Sequence, residues 1–223
     1  LDSEYEKETR RTYPENIFGL PVVKKIFFWG GKQTSFFKNN LYKNKFVISG
    51  APRFDLAKQE CEYLDRDSVE KIKKQYGNYI LICGRFAPAN MVPDDPSFLG
   101  KRMFEIHVEG GALELFTKEQ VLSVMFKDWE KTTIEFARFV SATIKLAMEF
   151  PHLNFVFRPH PAERSSFYNE AFSHLNNIFV DKSFDARPFI RAAKAIIHCE
   201  CSTGVESEIL HNPNINYRPC KKI

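Results

Sequence analysis

The sequence predicts an α/β fold, a Rossmann-like parallel sheet covered by helices, and three observations lead to it. Apolar runs of four to eight residues recur along the chain, stretches with helical spacing separate them, and most runs end at Gly, Pro or a polar turn. The runs at residues 23–29, 46–49, 79–83, 154–158, 178–180, 195–198 and 214–217 are rich in β-branched and aromatic side chains and read as strands. The clearest helix spans 129–150, because Trp129, Thr133, Phe136, Val140, Ile144, Ala147 and Phe150 recur three or four apart along one face. Pro151 stops it, since the residue before a proline is disfavoured in helical geometry. A shorter helix begins at Thr117, where Thr117 and Gln120 match a capping box. Near Gly50-Ala51-Pro52-Arg53-Phe54-Asp55 a strand gives way to Gly and Pro and then to a charged helical stretch, 56–75. Two unequal parts are expected, 1–54 and 55–223.

Composition bounds the classes of function. With 223 residues, 43% hydrophobic and 27% charged, the chain can bury a sizeable core, and 10 Gly with 12 Pro exclude collagen-like or low-complexity sequence. The 22 Phe point to a bulky core, since Phe has no polar handle. No uncharged apolar run approaches the roughly 20 residues that span a bilayer. The opening LDSEYEKETRR lacks a signal peptide's apolar centre, and five cysteines form no disulfide framework, so a reducing, cytoplasmic setting is expected. Net charge is +4, but between Asn16 and Phe54 there are seven cations (Lys24, Lys25, Lys32, Lys38, Lys43, Lys45, Arg53) and no acid. That run is either a solvated basic face or a contact for an anionic membrane surface or acceptor. Nucleic acid is not an expected partner, because no recognition module accompanies the run and the pI is about 8.7.

Two local patterns carry most of the chemistry. Asn154-Phe-Val-Phe-Arg158-Pro159-His160-Pro161 is an apolar strand ending in Arg158 and in a His160 fixed between prolines. Strand carboxyl ends in parallel sheets open onto the ligand crevice, where a guanidinium and an imidazole suit a phosphate. The competing reading is a turn in which His160 only bonds the backbone. The second pattern, Ala195-Ile-Ile-His198-Cys199-Glu200-Cys201-Ser202-Thr203-Gly204-Val205-Glu206, reads as strand, small-residue turn and helix. Ser202, Thr203 and Gly204 then sit at the helix start, a ready anion site. Thr203 and Glu206 also match a capping box, which explains Glu206 without a ligand.

Weaker signals lie between and before these. Asp185 is a plausible N-cap for a helix after the 181–185 loop. Gly84 closes the strand Tyr79-Ile-Leu-Ile-Cys83, either for close backbone approach to a ligand or for a turn; Phe86 and Asn90 follow it. Asp65-Arg66-Asp67 spells D-x-D but is more simply an N-cap, and His198, Cys199, Cys201 and Cys220 lack the paired spacing of structural zinc. No metal or cofactor is expected. Neither a G-x-S-x-G elbow nor a Walker loop occurs.

Taken in order, Gly50-Ala-Pro-Arg-Phe-Asp55, Tyr79-Ile-Leu-Ile with Phe86 and Asn90, Arg158-Pro-His-Pro161, Asp181 to Asp185, and Cys201-Ser-Thr-Gly-Val-Glu206 with Pro213 and Tyr217-Arg-Pro219 resemble bacterial surface-carbohydrate biosynthesis proteins of the GT-B glycosyltransferase type. The set is similar to capsule Kdo-transferases and sialyltransferases, which use CMP-activated acidic sugars, and to CDP-glycerol glycerophosphotransferases. The resemblance implies the C-terminal half of a two-domain enzyme, truncated at both ends, with 1–54 the remnant of an acceptor domain and linker and 55–223 the nucleotide-sugar-binding domain. It implies that Arg158 and His160 act on the donor phosphate, that Ser202, Thr203 and Gly204 bind it, and that Glu206 reaches the ribose. Gly84, Phe86 and Asn90 are implied to line the nucleotide, with the 181–185 loop near the base. The partners implied are a nucleotide sugar and a carbohydrate or lipid-linked acceptor. A polyol phosphotransferase, a sugar-nucleotide epimerase and a non-catalytic binding subunit are the alternatives on the same scaffold.

Overall fold

Among the described residues, seven short strands form in the β-branched and aromatic runs, and every pairing between them is parallel. The computed structural model describes residues 19–35, 41–90, 116–183 and 185–220. Their first unit comprises 19–35, 41–53 and 116–128, and their second comprises 54–90, 129–183 and 185–220. Lys38, Phe184 and the opening eleven residues named above lie outside the described residues.

In the first unit, β1 (Ile26–Phe28) pairs with β2 (Phe46–Ile48). Phe28 and Phe46 meet edge to face at 4.9 Å, with Ile26 and Tyr42 against them. Helix α1 (Gly31–Ser35) follows β1, and α2 (Pro52–Leu56), whose last three residues belong to the second unit, follows β2.

The second unit holds β3 (Tyr79–Cys83), β4 (Asn154–Arg158), β5 (Ile178–Val180), β6 (Ala195–His198) and β7 (Asn214–Asn216) in the order β5-β4-β3-β6-β7. Its helices are α3 (Arg66–Tyr76), the part of α4 (Lys118–Glu149) from Trp129 onward, α5 (Ser165–Ala171), α6 (Arg187–Ala192) and α7 (Ser202–Ile209). Strand alternation sends Tyr79, Leu81, Cys83, Val156 and Ile196 to one face, where Ile72 and Tyr76 of α3 and Phe189 and Ile190 of α6 cover them. Ile82, Phe155, Phe157 and Ile178 face the other way, against Phe139, Val140 and Ala147 of α4 and Tyr168 of α5. Burial on both faces explains why these strands read as nearly continuous apolar runs. The α/β, Rossmann-like class is therefore the architecture of this unit.

Three local expectations are revised. The stretch 56–75 is not one helix, because α2 is followed by a 3-10 turn, Gln59–Leu64, before α3 begins. Asp65 occupies the N-cap position of α3 but makes no capping bond. Its carboxylate is buried and taken by Arg191 Nε at 2.9 Å and Arg187 Nη2 at 3.5 Å, so long-range ion pairs displace the local cap. The segment at Thr117 and the amphipathic run from Trp129 form one helix, α4. The Thr117 amide donates to Gln120 Oε1 at 2.9 Å and the Gln120 amide to Thr117 Oγ1 at 3.3 Å, a reciprocal capping box at its start.

The far end of α4 is closed from elsewhere in the sequence. The buried Asn177 amide donates to the carbonyls of Ala147, Phe150 and Leu153 at 3.0–3.2 Å, satisfying groups the helix leaves open at its end. Asn177→Ala strands these carbonyls and is expected to cost about 1–3 kcal/mol in urea unfolding. A loss below a few tenths would show that water replaces the amide.

Candidate functional site

The connection from β3 passes to β4 and β5 on one side, then returns to β6 on the other side of β3. Such a reversal opens a crevice at the carboxyl ends of the two strands where it occurs. Here those exits are Gly84-Arg85 after β3 and Cys199 to Ser202 after β6. The exit of β4, with Pro159 and His160, is one strand away.

Arg158 and His198 both stand in register with Cys83. Thr203, Cys201, Arg158 and Glu206 all lie close enough to the Cys83 thiol to affect it. The segments around 158 and 203 therefore meet over the end of β3. The meeting point is largely sealed: Cys83, Arg158, His198, Thr203 and Glu206 are all buried, and burial pushes the Cys83 thiol far up.

Arg158 is engaged inside the protein. Its guanidinium donates to Ser183 Oγ at 3.1 Å and to the Ser183 carbonyl, lies 3.6 Å from Asp181 Oδ1, and stacks over Phe189 at 4.2 Å. Burial lowers its pKa, with Cys83 and Asp181 opposing that. Asp181 in turn accepts Tyr76 Oη at 2.8 Å and the Ser183 amide at 2.7 Å. Burial alone would raise the Asp181 carboxyl, but the Ser183 and Tyr76 bonds and Arg158 together hold it below its ordinary value. Arg158 thus fixes the loop after β5. At α6, Asp185 accepts the Arg187 amide at 3.0 Å and the guanidinium at 2.9 Å.

His160 is exposed and bonds its own turn: the Ala162 amide donates to Nδ1 at 3.2 Å. An amide can only donate, so Nδ1 is the acceptor and the neutral ring carries its proton on Nε2. Burial and then Lys182 lower its pKa, which favours that neutral form. The turn reading of His160 is what the bonds show, with Nδ1 bonded to the backbone, and no described residue accepts from Nε2.

A residue absent from the sequence reading holds this turn in place. Glu163 is fully buried; its amide donates to the His160 carbonyl at 2.8 Å, and its carboxylate accepts the Phe86 amide at 2.6 Å and the Tyr168 hydroxyl. Lys182 donates to its carbonyl. Next to it, Asn90 and Arg164 bond reciprocally: Arg164 N–H to Asn90 O at 3.0 Å, Asn90 Nδ2 to Arg164 O at 3.0 Å, and Arg164 Nε to Asn90 Oδ1 at 3.2 Å. Phe86 is 1% exposed and packs on Phe139 at 5.1 Å. Phe86 and Asn90 therefore sit in the core and in the loop clamp, and their side chains face protein. The only sequence signal for Glu163 was an acid two residues beyond Pro161.

Gly84 and Gly204 serve close packing. A Cβ on Gly204 would lie 2.3–2.4 Å from the His198 ring, and one on Gly84 2.8 Å from the Phe86 ring. Helix α7 starts at Ser202 with Cys201 in the N-cap position, so Thr203 is a first-turn residue and not the cap. Ser202 is exposed at that start. Among the described residues no group of three His, Cys, Asp or Glu is placed to hold a metal. None of their helices is long and apolar enough to cross a membrane. A 760 Å³ groove lined by Arg66, Glu70, Lys73, Arg191, His211 and Asn212 contains none of the sequence-predicted site residues. No family model matches the chain, and no curated protein matches it significantly.

Gly204→Ala is expected to destabilise by about 1–3 kcal/mol through overpacking. In a His198→Ala background that cost should largely vanish; equal costs in both backgrounds would place the strain elsewhere. Burial raises the Glu163 carboxyl above 4.5 despite its hydrogen bonds, so the folded state holds this proton more tightly than the unfolded state. Wild type should then lose stability relative to Glu163→Gln as pH rises from 4.5 towards neutrality. A difference that is flat with pH in paired denaturant titrations would contradict the raised value.

Proposed function

We propose that the second unit is the donor-binding half of a GT-B-type glycosyltransferase of surface polysaccharide biosynthesis. The donor is a nucleotide-activated sugar, a CMP-linked acidic sugar being favoured, and the acceptor a carbohydrate or its lipid-linked form. The observation that carries the reading is the strand-order reversal at β3 and β6, which gathers His160, Ser202 and the 181–185 loop around neighbouring strand exits. Sheets of this kind take nucleotides at that position.

The sugar's anomeric carbon passes from the nucleotide phosphate oxygen to an acceptor hydroxyl, and negative charge grows on the departing phosphate. His160 meets it as a neutral Nε2–H donor, with Nδ1 held by Ala162. The Ser202 hydroxyl at the start of α7 adds a donor, while the Gly204 amide is taken by the Cys201 carbonyl at 3.1 Å. Arg158, bonded to Ser183 and Asp181, contributes by setting the loop after β5 and the charge behind the site. These donors stabilise the departing phosphate, which takes up the proton the acceptor hydroxyl releases as the new bond forms, so the step balances without a bound cofactor. In the first unit, exposed Val22, Phe27 and Trp29 beside Lys24, Lys25 and Lys32 suit a cytoplasmic enzyme working against an anionic membrane face.

His160→Ala in the intact protein is expected to lower turnover on the order of a hundredfold. Its melting temperature should barely change, because the ring is exposed. Thermal-shift titration with CMP, CDP and UDP identifies the base, since a ligand of the native state raises stability. Near-normal transfer by His160→Ala, or no shift with any nucleotide, would overturn the reading.

A further inference from the structure

A second cluster at the β3 and β6 exits is built around one carboxylate. Glu200 has φ 46°, a left-handed conformation unusual for a residue with a side chain. Its amide donates to Asn216 Oδ1 at 3.2 Å, holding that conformation. One carboxylate oxygen, Oε2, takes Arg85 Nη2 at 2.9 Å, and the other, Oε1, takes Arg218 Nε at 3.0 Å. Arg85 comes from the exit of β3 and Arg218 from the segment after β7, so two separate loops deliver guanidiniums to a single anion. The three side chains remain reachable, with relative exposures of 45%, 55% and 32% for Arg85, Arg218 and Glu200. Glu135 is the other acid near Cys199 at this spot.

Accessible ion pairs of this kind contribute little to folding. The chain nevertheless keeps a residue in a disfavoured backbone state with one oxygen directed at each arginine. A ligand carboxylate or phosphate would present the same two oxygens in the same arrangement. The cluster also bridges the two exits between which sheets of this topology bind ligands.

We propose that Arg85 and Arg218 form an oxyanion-recognition site that Glu200 occupies in the resting chain and yields to a ligand's carboxylate or phosphate. Glu200 acts as a tethered competitor, so the apparent affinity of the site is reduced by the fraction of time it is occupied. The assignment stands apart from the transferase reading, since it concerns only which anion the two arginines hold.

The test compares wild type with Glu200→Gln, using inorganic phosphate, CMP and free sialic acid as probes in buffer without other oxyanions, with calorimetry as the readout. Glu200→Gln keeps the side chain's size and removes its charge. If the resting site is free about a tenth of the time, the variant should bind at least one probe about tenfold more tightly. Adding Arg85→Ala or Arg218→Ala to it should abolish the gain. A response to phosphate and CMP alone assigns the ligand group as phosphate, and a response to sialic acid alone assigns it as carboxylate. Glu200→Gly, which frees the backbone as well, checks that the gain does not depend on how glutamine packs. The proposal is overturned if Glu200→Gln, with an unchanged circular dichroism spectrum, binds no probe more tightly than wild type, or if the arginine double variants keep the gain. Tightened phosphate binding with no nucleotide binding to any variant would count against the transferase reading and leave this site standing.

Discussion

The buried carboxylate of Glu163 is the constraint on which the strand exits depend. It lies where the chain leaves β4 and binds the Phe86 amide beyond β3 and the Tyr168 hydroxyl of α5, while Lys182 beyond β5 reaches its carbonyl. Two loops, after β3 and after β5, and the adjacent helix α5 are thereby tied to one residue. Burying a carboxylate is costly unless its oxygens are bonded, and here both are. The cost appears as a carboxyl whose pKa remains raised even with those bonds. Charge-assisted bonds of this type contribute about 1.5–3 kcal/mol each, enough to set loop geometry that turn propensities alone would leave open.

Arg158 follows the same logic with the opposite sign. A buried guanidinium needs a counter-charge and acceptors, and Asp181 and Ser183 supply them while Phe189 covers its face. Asp181 is itself held by Tyr76 from α3, so the charge at the end of β4 is coupled to a helix on the covered face. The result is a rigid polar layer beneath the strand exits. Above it are the accessible groups His160, Lys182, Ser183, Ser202, Arg85 and Arg218.

The strands were legible because their signal is local. β3, β4, β5 and β6 occupy the predicted residues, since a strand buried on both faces must be apolar throughout and must stop where Gly, Pro or a charge appears. β1 is shorter than its apolar run, 23–29, because pairing with the three residues of β2 limits it. The candidate site was legible only as a location. Arg158, His160 and Ser202 were placed at strand exits by spacing, but their partners depend on contacts that spacing does not encode. Arg158 meets a loop 25 residues away, Glu163 meets Phe86 across 77, and Arg85 meets Glu200 across 115. An isolated acid beside a turn, or an arginine after a strand-ending glycine, looks like solvated surface until the fold brings its counterpart to it.

The two glycines sharpen this point. Gly84 was read as a place for close ligand approach or for a turn, and Gly204 as part of an anion-binding helix start; each admits an aromatic ring from its own chain. The consequence for the site is indirect but physical. With the His198 ring beneath Gly204, the first turn of α7 lies close against the end of β6, which fixes the helix start relative to the β3 exit. With the Phe86 ring against Gly84, the chain leaving β3 turns so that the Phe86 amide reaches Glu163. The absence of a Cβ at each position therefore acts on the site through packing, by setting where the donors of neighbouring loops stand. Ligand affinity at these exits would respond to substitutions at both glycines even though neither glycine has to touch the ligand.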